Sequence, residues 1–271
     1  MAYDLGERHK NYEEAYDLKI IRRIPIIIRI DGRSFSRLTK RLPRPFSGDM
    51  INLMSNAMLV VAKEIEGCVF GYQQSDEITL ILRNDQSLTS EPWFGNRVQK
   101  MVSVASASAT QAFNDLYKKM PEPIELVGPA IFDARVFGVP SINEAVNNLI
   151  FRQQDCLRNA VTAAAQAELR SRHGRKTADR ILQKRTTIER AEMLRDECGI
   201  DFNTHYPSAF RNGVATYKIP KIIETENGQL TRQRWALDTD IPVFSKSRDF
   251  ILGILNTGRD IFRADRDLDD T

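Results

Sequence analysis

The sequence predicts an α+β fold: an antiparallel sheet in the split βαβ, ferredoxin-like order with helices, followed by a mostly helical extension. Three observations carry this. The first half alternates as strand, helix, strand, strand, helix, strand. Its strands are short β-branched or aromatic runs bounded by turn residues. Beyond residue 140, two long segments repeat apolar residues at helical spacing.

Residues 1–22 are polar and charged, with tyrosines at 3, 12 and 16, and read as a leading arm or short helix. Ile24 to Ile30 is a β-branched-rich run, broken by Pro25 and Arg29, that suits a strand buried on both faces. Asp31-Gly32 ends it, and a loop with Lys40, Arg41, Pro43, Arg44 and Pro45 follows. Asp49 to Glu66 is a helix, because Ile51, Met54, Met58, Val61, Ala62 and Ile65 recur at steps of three and four. Gly67 stops it. Cys68 to Tyr72 and Ile78 to Leu82 form a hairpin around Gln73 to Glu77.

Asn84 to Pro92 is a loop, and Phe94 to Met120 a long helix ended by Pro121 and Pro123. Its small residues from Ser103 to Ala109 would let another element approach closely. Ala130 to Val139 alternates as a fourth strand. Ile142 to His173 and Lys176 to Glu197 read as helices, with Gly199, Asn203 and Pro207 as breakers. Gly213 to Ile219 reads as a strand, and Asn227-Gly228 as a hairpin turn. A short helix around Phe250 to Leu252 precedes a frayed, charged end. The expected domains are 1–140, a catalytic unit, and 141–271, a helical extension with small C-terminal strands packed on it.

Hydrophobic residues make up 42%, enough for a core and against disorder. Basic residues number 39 against 36 acidic, so net charge alone does not imply nucleic acid. The three cysteines, Cys68, Cys156 and Cys198, are scattered and odd in number, which argues for a reducing compartment and against zinc or disulfides. Three isolated histidines exclude a His-ligated metal pattern. No leader-like or membrane-spanning apolar run is visible, and the expectation is a soluble, cytoplasmic protein.

In the split βαβ order, strand 1 lies antiparallel beside strand 3. The exit of the first then adjoins the entry of the second, and Asp31 should meet Asp76 and Glu77. A single Asp-Gly is ordinarily a turn or cap. Two acidic turns that converge after buried strands repel unless a cation lies between them, which suits a hard divalent ion such as Mg²⁺ and phosphoryl chemistry. Gly32 lets its backbone approach a metal or phosphate, and the amides of Arg33 to Phe35 could cradle a triphosphate. Basic residues crowd the second helical segment, from Arg170 through Lys176, Lys184 and Arg185 to Arg195. They suit a phosphate backbone or a solvated helix face equally.

Four stretches, RIDGRSF (Arg29 to Phe35), GYQQSDEITLIL (Gly71 to Leu82), FDARVF (Phe132 to Phe137) and FRQQDCLRNA (Phe151 to Ala160), resemble the tRNA-His guanylyltransferase superfamily in order and spacing. The resemblance implies a polymerase-palm domain and nucleotide addition to tRNA 5′ ends in the 3′–5′ direction. It implies that Asp31, Asp76 and the Gly32 carbonyl bind two Mg²⁺ ions, with Glu77 supporting the catalytic cluster. It implies a nucleotide site of Asp31, Gly32, Arg33, Ser34, Phe35, Ser36, Arg44, Ser75 and Asp76, taking ATP or GTP for activation and nucleoside triphosphates as substrates. Arg152, Arg158, Asn159, Lys176, Lys184 and Arg185 are assigned to tRNA, and a homotetramer is expected.

Departures bear on substrate. Ser36 stands where the family often has His, and Arg44-Pro45 replaces Lys-Pro. The His-Ile-Asn-Asn-Leu-Tyr-Asn stretch of the eukaryotic enzymes that add the extra guanylate to tRNA-His aligns with Leu157 to Ala163, where only Asn159 survives. This favours the guanylyltransferase-like branch, which repairs truncated 5′ ends on a template, over dedicated guanylate addition to tRNA-His. A palm-fold cyclase or phosphotransferase acting on free nucleotides, and a non-catalytic RNA binder, stand as alternatives.

Overall fold

A computed structural model describes residues 4–87, 89–225 and 228–258. Its elements are α1 (Leu5–Glu14), β1 (Ile26–Gly32), α2 (Phe35–Leu38), α3 (Gly48–Glu64), β2 (Cys68–Gln74), β3 (Glu77–Leu82), α4 (Val98–Lys118) and β4 (Phe132–Gly138). Then come α5 (Ile142–His173), α6 (Arg175–Leu182), α7 (Thr187–Cys198), α8 (Phe202–His205), α9 (Ser208–Asn212), β5 (Val214–Thr225), β6 (Gly228–Asp238) and α10 (Arg248–Thr257).

The strands form one antiparallel sheet in the order β4-β1-β3-β2-β5-β6. Its first four members follow the split βαβ order, so the α+β expectation holds. β1 is an inner strand, flanked by β4 and β3 and buried on both sides, as its isoleucines require. Ile28 and Ile30 join Met54, Met58 and Phe113 beneath α3 and α4. Ile27 joins Leu149 of α5 and Ile254 of α10 on the other face. Alternation therefore turns Arg29 and Asp31 toward the α5 face.

Caps explain where helices begin. The Ser47 hydroxyl accepts from the Met50 amide at 3.3 Å, and Ser141 does the same for Glu144 at 3.3 Å. Small residues of α4 serve packing within the chain: Ala105 and Ala109 are fully buried in the core shared with α3.

Three expectations change. The helix expected from Lys176 to Glu197 is two, α6 and α7, broken at Lys184 with φ of 65°. Thr186 and Glu189 form a reciprocal capping box that starts α7 afresh. The helix expected from Phe94 begins at Val98, because Phe94, Gly95 and Asn96 all take positive φ in a tight turn. Finally, β5 and β6 are 12 and 11 residues long and extend the same sheet through β2. They pair as the expected hairpin, whose turn at Asn227 lies outside the described residues, as does the charged end from 259.

Candidate active site

The two acidic turns meet. The Gly32 amide, at the end of β1, donates to the Asp76 carbonyl at 3.0 Å. In register, Asp31 stands opposite Glu77 on β3 and Asp133 on β4. Gln74 lies opposite Glu77 on β2, so one row across the sheet reads Asp133, Asp31, Glu77, Gln74. Two residues back along β1, the row reads Arg135, Arg29, Thr79, Tyr72 on the same face. Three carboxylates, Asp133, Asp31 and Glu77, are thus backed by two arginines, Arg135 and Arg29.

Burial pushes the Asp31 carboxyl up, with Asp133 adding to it, while Arg135, Arg29 and Arg152 pull the other way. Asp76 is also raised, chiefly by burial and further by Asp31; its own amide and the Ser75 hydroxyl, 3.1 Å away, partly offset this. Among the described residues no cationic side chain is a cause that counters the rise at Asp76. Among the described residues no three acidic, His or Cys side chains form a self-sufficient metal cluster. The donor set is two mutually repelling carboxylates beside a backbone carbonyl. That fits Mg²⁺, which takes one or two carboxylates and fills its other positions with phosphate and water.

Glu77 plays a different part. It is buried, and its Oε1 lies 2.8 Å from Arg152 Nε, with Arg29 Nε 3.9 Å from Oε2. The 2.8 Å contact has ion-pair rather than aligned hydrogen-bond geometry, since neither atom has a hydrogen-bond partner. Burial still raises the Glu77 carboxyl against the pull of Arg152 and Arg29. Arg152 also holds Asp155, which holds Arg158 in turn. This corrects the assignment of Arg152 to tRNA. Its side chain is 7% exposed and committed to two carboxylates, leaving no face for a phosphate.

A cavity of about 400 Å³ opens between the loop after α2, the β2–β3 turn and α5. Of the residues assigned to the nucleotide, Phe35, Ser36, Arg44, Ser75 and Asp76 line it, and Asn159 joins them. Its other walls are largely apolar, among them Leu42, Pro45, Phe46, Met50 and Phe210. Asp31, Gly32, Arg33 and Ser34 stand beside it without lining it.

Two readings of the glycine turn change. The Arg33 amide donates to the Ile131 carbonyl at 2.8 Å, so it cannot cradle a phosphate. Gly32 is required by packing: a Cβ there would sit 2.3 Å from the Phe35 ring. That ring is wedged against Phe113 and Phe132 at centroid distances of 5.7 and 5.1 Å.

Of the remaining tRNA assignments, Lys176 and Lys184 are exposed. Arg185 lies 3.7 Å from Glu197, and Arg158 is half out in solvent. Sequence reasoning missed Asp133, Arg29, Arg135 and the burial of Arg152. The alternation within FDARVF puts Asp133 and Arg135 on one face, but only the register brings them beside Asp31.

A family model described as tRNAHis guanylyltransferase (Thg1) matches residues 6–140. Two solved structures are similar throughout: a bacterial tRNA(His) guanylyltransferase (Thg1)-like protein in complex with ATP and one in complex with GTP. Their TM-scores are 0.77 and 0.72, each at 30% identity, covering 93% of this chain and 99% and 98% of theirs. Uncharacterized protein R259 of Acanthamoeba polyphaga mimivirus is 32% identical over 59% of this chain and 62% of its own. The chain spans only 40% to 62% of the length of the first curated relatives it matches.

Proposed function

The chain belongs to the tRNA-His guanylyltransferase (Thg1) family, and on that premise we propose that it is a nucleotidyltransferase extending tRNA 5′ ends in the 3′–5′ direction. One observation carries the reading. The hydrogen bond from Gly32 to Asp76 holds two mutually repelling carboxylates, Asp31 and Asp76, side by side at the mouth of a nucleotide-sized cavity.

Asp31, Asp76 and the Gly32 carbonyl would hold Mg²⁺, here two ions. When bound, the metal supplies charge neutralisation for a triphosphate and a lowered pKa for an attacking hydroxyl. The chain's own residues do the rest. The apolar walls around Phe46 and Phe210 receive a nucleoside triphosphate, ATP or GTP, and exclude water from it. Arg44 offers positive charge to its phosphates, and the amides of Phe35, in the lining, and of Ser34 beside it are the remaining candidates for a backbone cradle. Arg152 and Arg29 neutralise Glu77, so that carboxylate does not compete for the cation.

The tRNA 5′-phosphate attacks the α-phosphorus of the activating nucleotide and pyrophosphate leaves. The 3′-hydroxyl of an incoming nucleotide then attacks the activated 5′-phosphorus, expelling the nucleoside monophosphate. The departures at Leu157 to Ala163 favour template-dependent repair of truncated ends. Lys176, Lys184, Arg185, Arg158 and Asn159 are the proposed tRNA contacts. A homotetramer in the cytoplasm completes the reading and rests on the family resemblance. No helix among the described residues is long and apolar enough to cross a membrane.

The test is a 5′-labelled tRNA lacking its first nucleotide, incubated with ATP, all four nucleoside triphosphates and Mg²⁺. Wild type extends it and Asp76→Ala does not. Failure of the wild type, or full extension by the variant, overturns the reading.

A further inference from the structure

We infer that Gln73 is a positioning residue for the Asp76 carboxylate, with Ser55 as its anchor. The inference rests on the metal-binding role proposed for Asp31 and Asp76.

Gln73 sits near the end of β2 and is 1% exposed. Its side-chain Nε2 donates to the Ser75 carbonyl at 2.9 Å. Its Oε1 accepts from the Ser55 hydroxyl of α3 at 3.1 Å. Ser55, 2% exposed, shares its single proton with the Ile51 carbonyl at 2.7 Å. The amide cannot be reversed. Its oxygen would then face the Ser75 carbonyl oxygen, two acceptors with no proton between them.

The consequence concerns the peptide groups on either side of the Asp76 Cα. The one before it, carrying the Ser75 carbonyl, is held by Gln73. The one after it, carrying the Asp76 carbonyl, is held by Gly32. Both are pinned, so the direction in which the Asp76 Cα–Cβ bond leaves the turn is set. The turn needs such a hold, because Ser75 takes a φ of 51°, in the left-handed region that non-glycine residues avoid. The backbone of Gln73 is itself backed by Gly213, where a Cβ would meet the Gln73 carbonyl at 2.6 Å.

Packing does not explain this residue. A side chain so buried between a strand and a helix is ordinarily apolar, and a buried amide is costly unless its groups are bonded. Here the bonded groups lead to the acidic turn. Metal ligands need partners that orient them, and losing such a partner weakens metal binding rather than the fold as a whole.

The experiment titrates Mn²⁺, followed by its electron paramagnetic resonance signal, into the full chain with a non-hydrolysable ATP analogue. Wild type is compared with Asp76→Asn, Gln73→Met and Ser55→Ala, alongside melting temperatures. Gln73→Met keeps the side-chain length and removes both hydrogen bonds. It should melt cooperatively and bind Mn²⁺ about 10- to 100-fold more weakly, the usual cost of an outer partner. Ser55→Ala should shift affinity in the same direction by less. Wild-type Mn²⁺ affinity in Gln73→Met overturns the proposal. If that variant does not fold, unchanged affinity in Ser55→Ala overturns it instead. Asp76→Asn with wild-type affinity removes the metal role beneath the proposal. Loss in Asp76→Asn alone removes only the proposal.

Discussion

Gly32 and Asp76, 44 residues apart, are joined by a 3.0 Å backbone hydrogen bond from the amide of the first to the carbonyl of the second. The bond closes the end of the β1–β3 pair and brings Asp31 beside Asp76. Its integrity depends on the absence of a side chain at Gly32.

Gly32→Ala is therefore expected to disturb fold and site together. The new methyl would lie 2.3 Å from a Phe35 ring that Phe113 and Phe132 prevent from yielding. Overpacking of this kind costs about 1–3 kcal/mol. Urea denaturation should show the loss, and Phe35→Leu in the same chain should recover part of it. Purely additive costs would argue against the ring as the obstacle.

Asp76→Asn should stabilise the metal-free protein near neutral pH. Burial raises the Asp31, Asp76 and Glu77 carboxyls, so the folded chain holds their protons more tightly than the unfolded one. Their contribution is fully favourable below the ordinary carboxylate values. It is lost as pH rises through the raised ones. The gain in melting temperature for Asp76→Asn should thus be largest at neutral pH and vanish on acidification. Added Mg²⁺ should raise the melting temperature of wild type and leave the variant unmoved.

Arg152→Met should strand Glu77. The two side chains are 7% and 11% exposed and 2.8 Å apart. Removing one partner of a buried pair costs about 3–5 kcal/mol, because the other charge stays buried. Pairing it with Glu77→Gln should restore much of that stability in chemical denaturation. A double variant as unstable as the sum of the singles would argue against the pair.

Lys176 and Lys184 are expected to read on salt dependence. Each charge removed from a phosphate contact should flatten the log-log slope of tRNA affinity against salt by about 1. Double alanine substitution should lower affinity without altering the thermal midpoint. An unchanged slope would return these lysines to the solvated helix face.

What the sequence determined by itself was local and periodic. The isoleucines of β1 announce a strand buried on both faces, and Asp31-Gly32 announces its end. The order of elements places β1 beside β3, and so predicts that two acidic turns meet. These features follow from side-chain period and turn chemistry, which act over a few residues.

What only the tertiary structure decided depends on register and burial. Asp133 joins the carboxylate row because of how β4 pairs with β1, a relation no local pattern encodes. Arg152 looks like a surface cation in sequence, since arginine is usually exposed. The fold buries it against Glu77 and Asp155, where paired charge offsets the loss of water. The Arg33 amide, free in any sequence reading, is taken by Ile131. Gly32 follows the same division. Its identity was legible as a turn, but its necessity comes from a phenylalanine ring that three-dimensional packing holds above it.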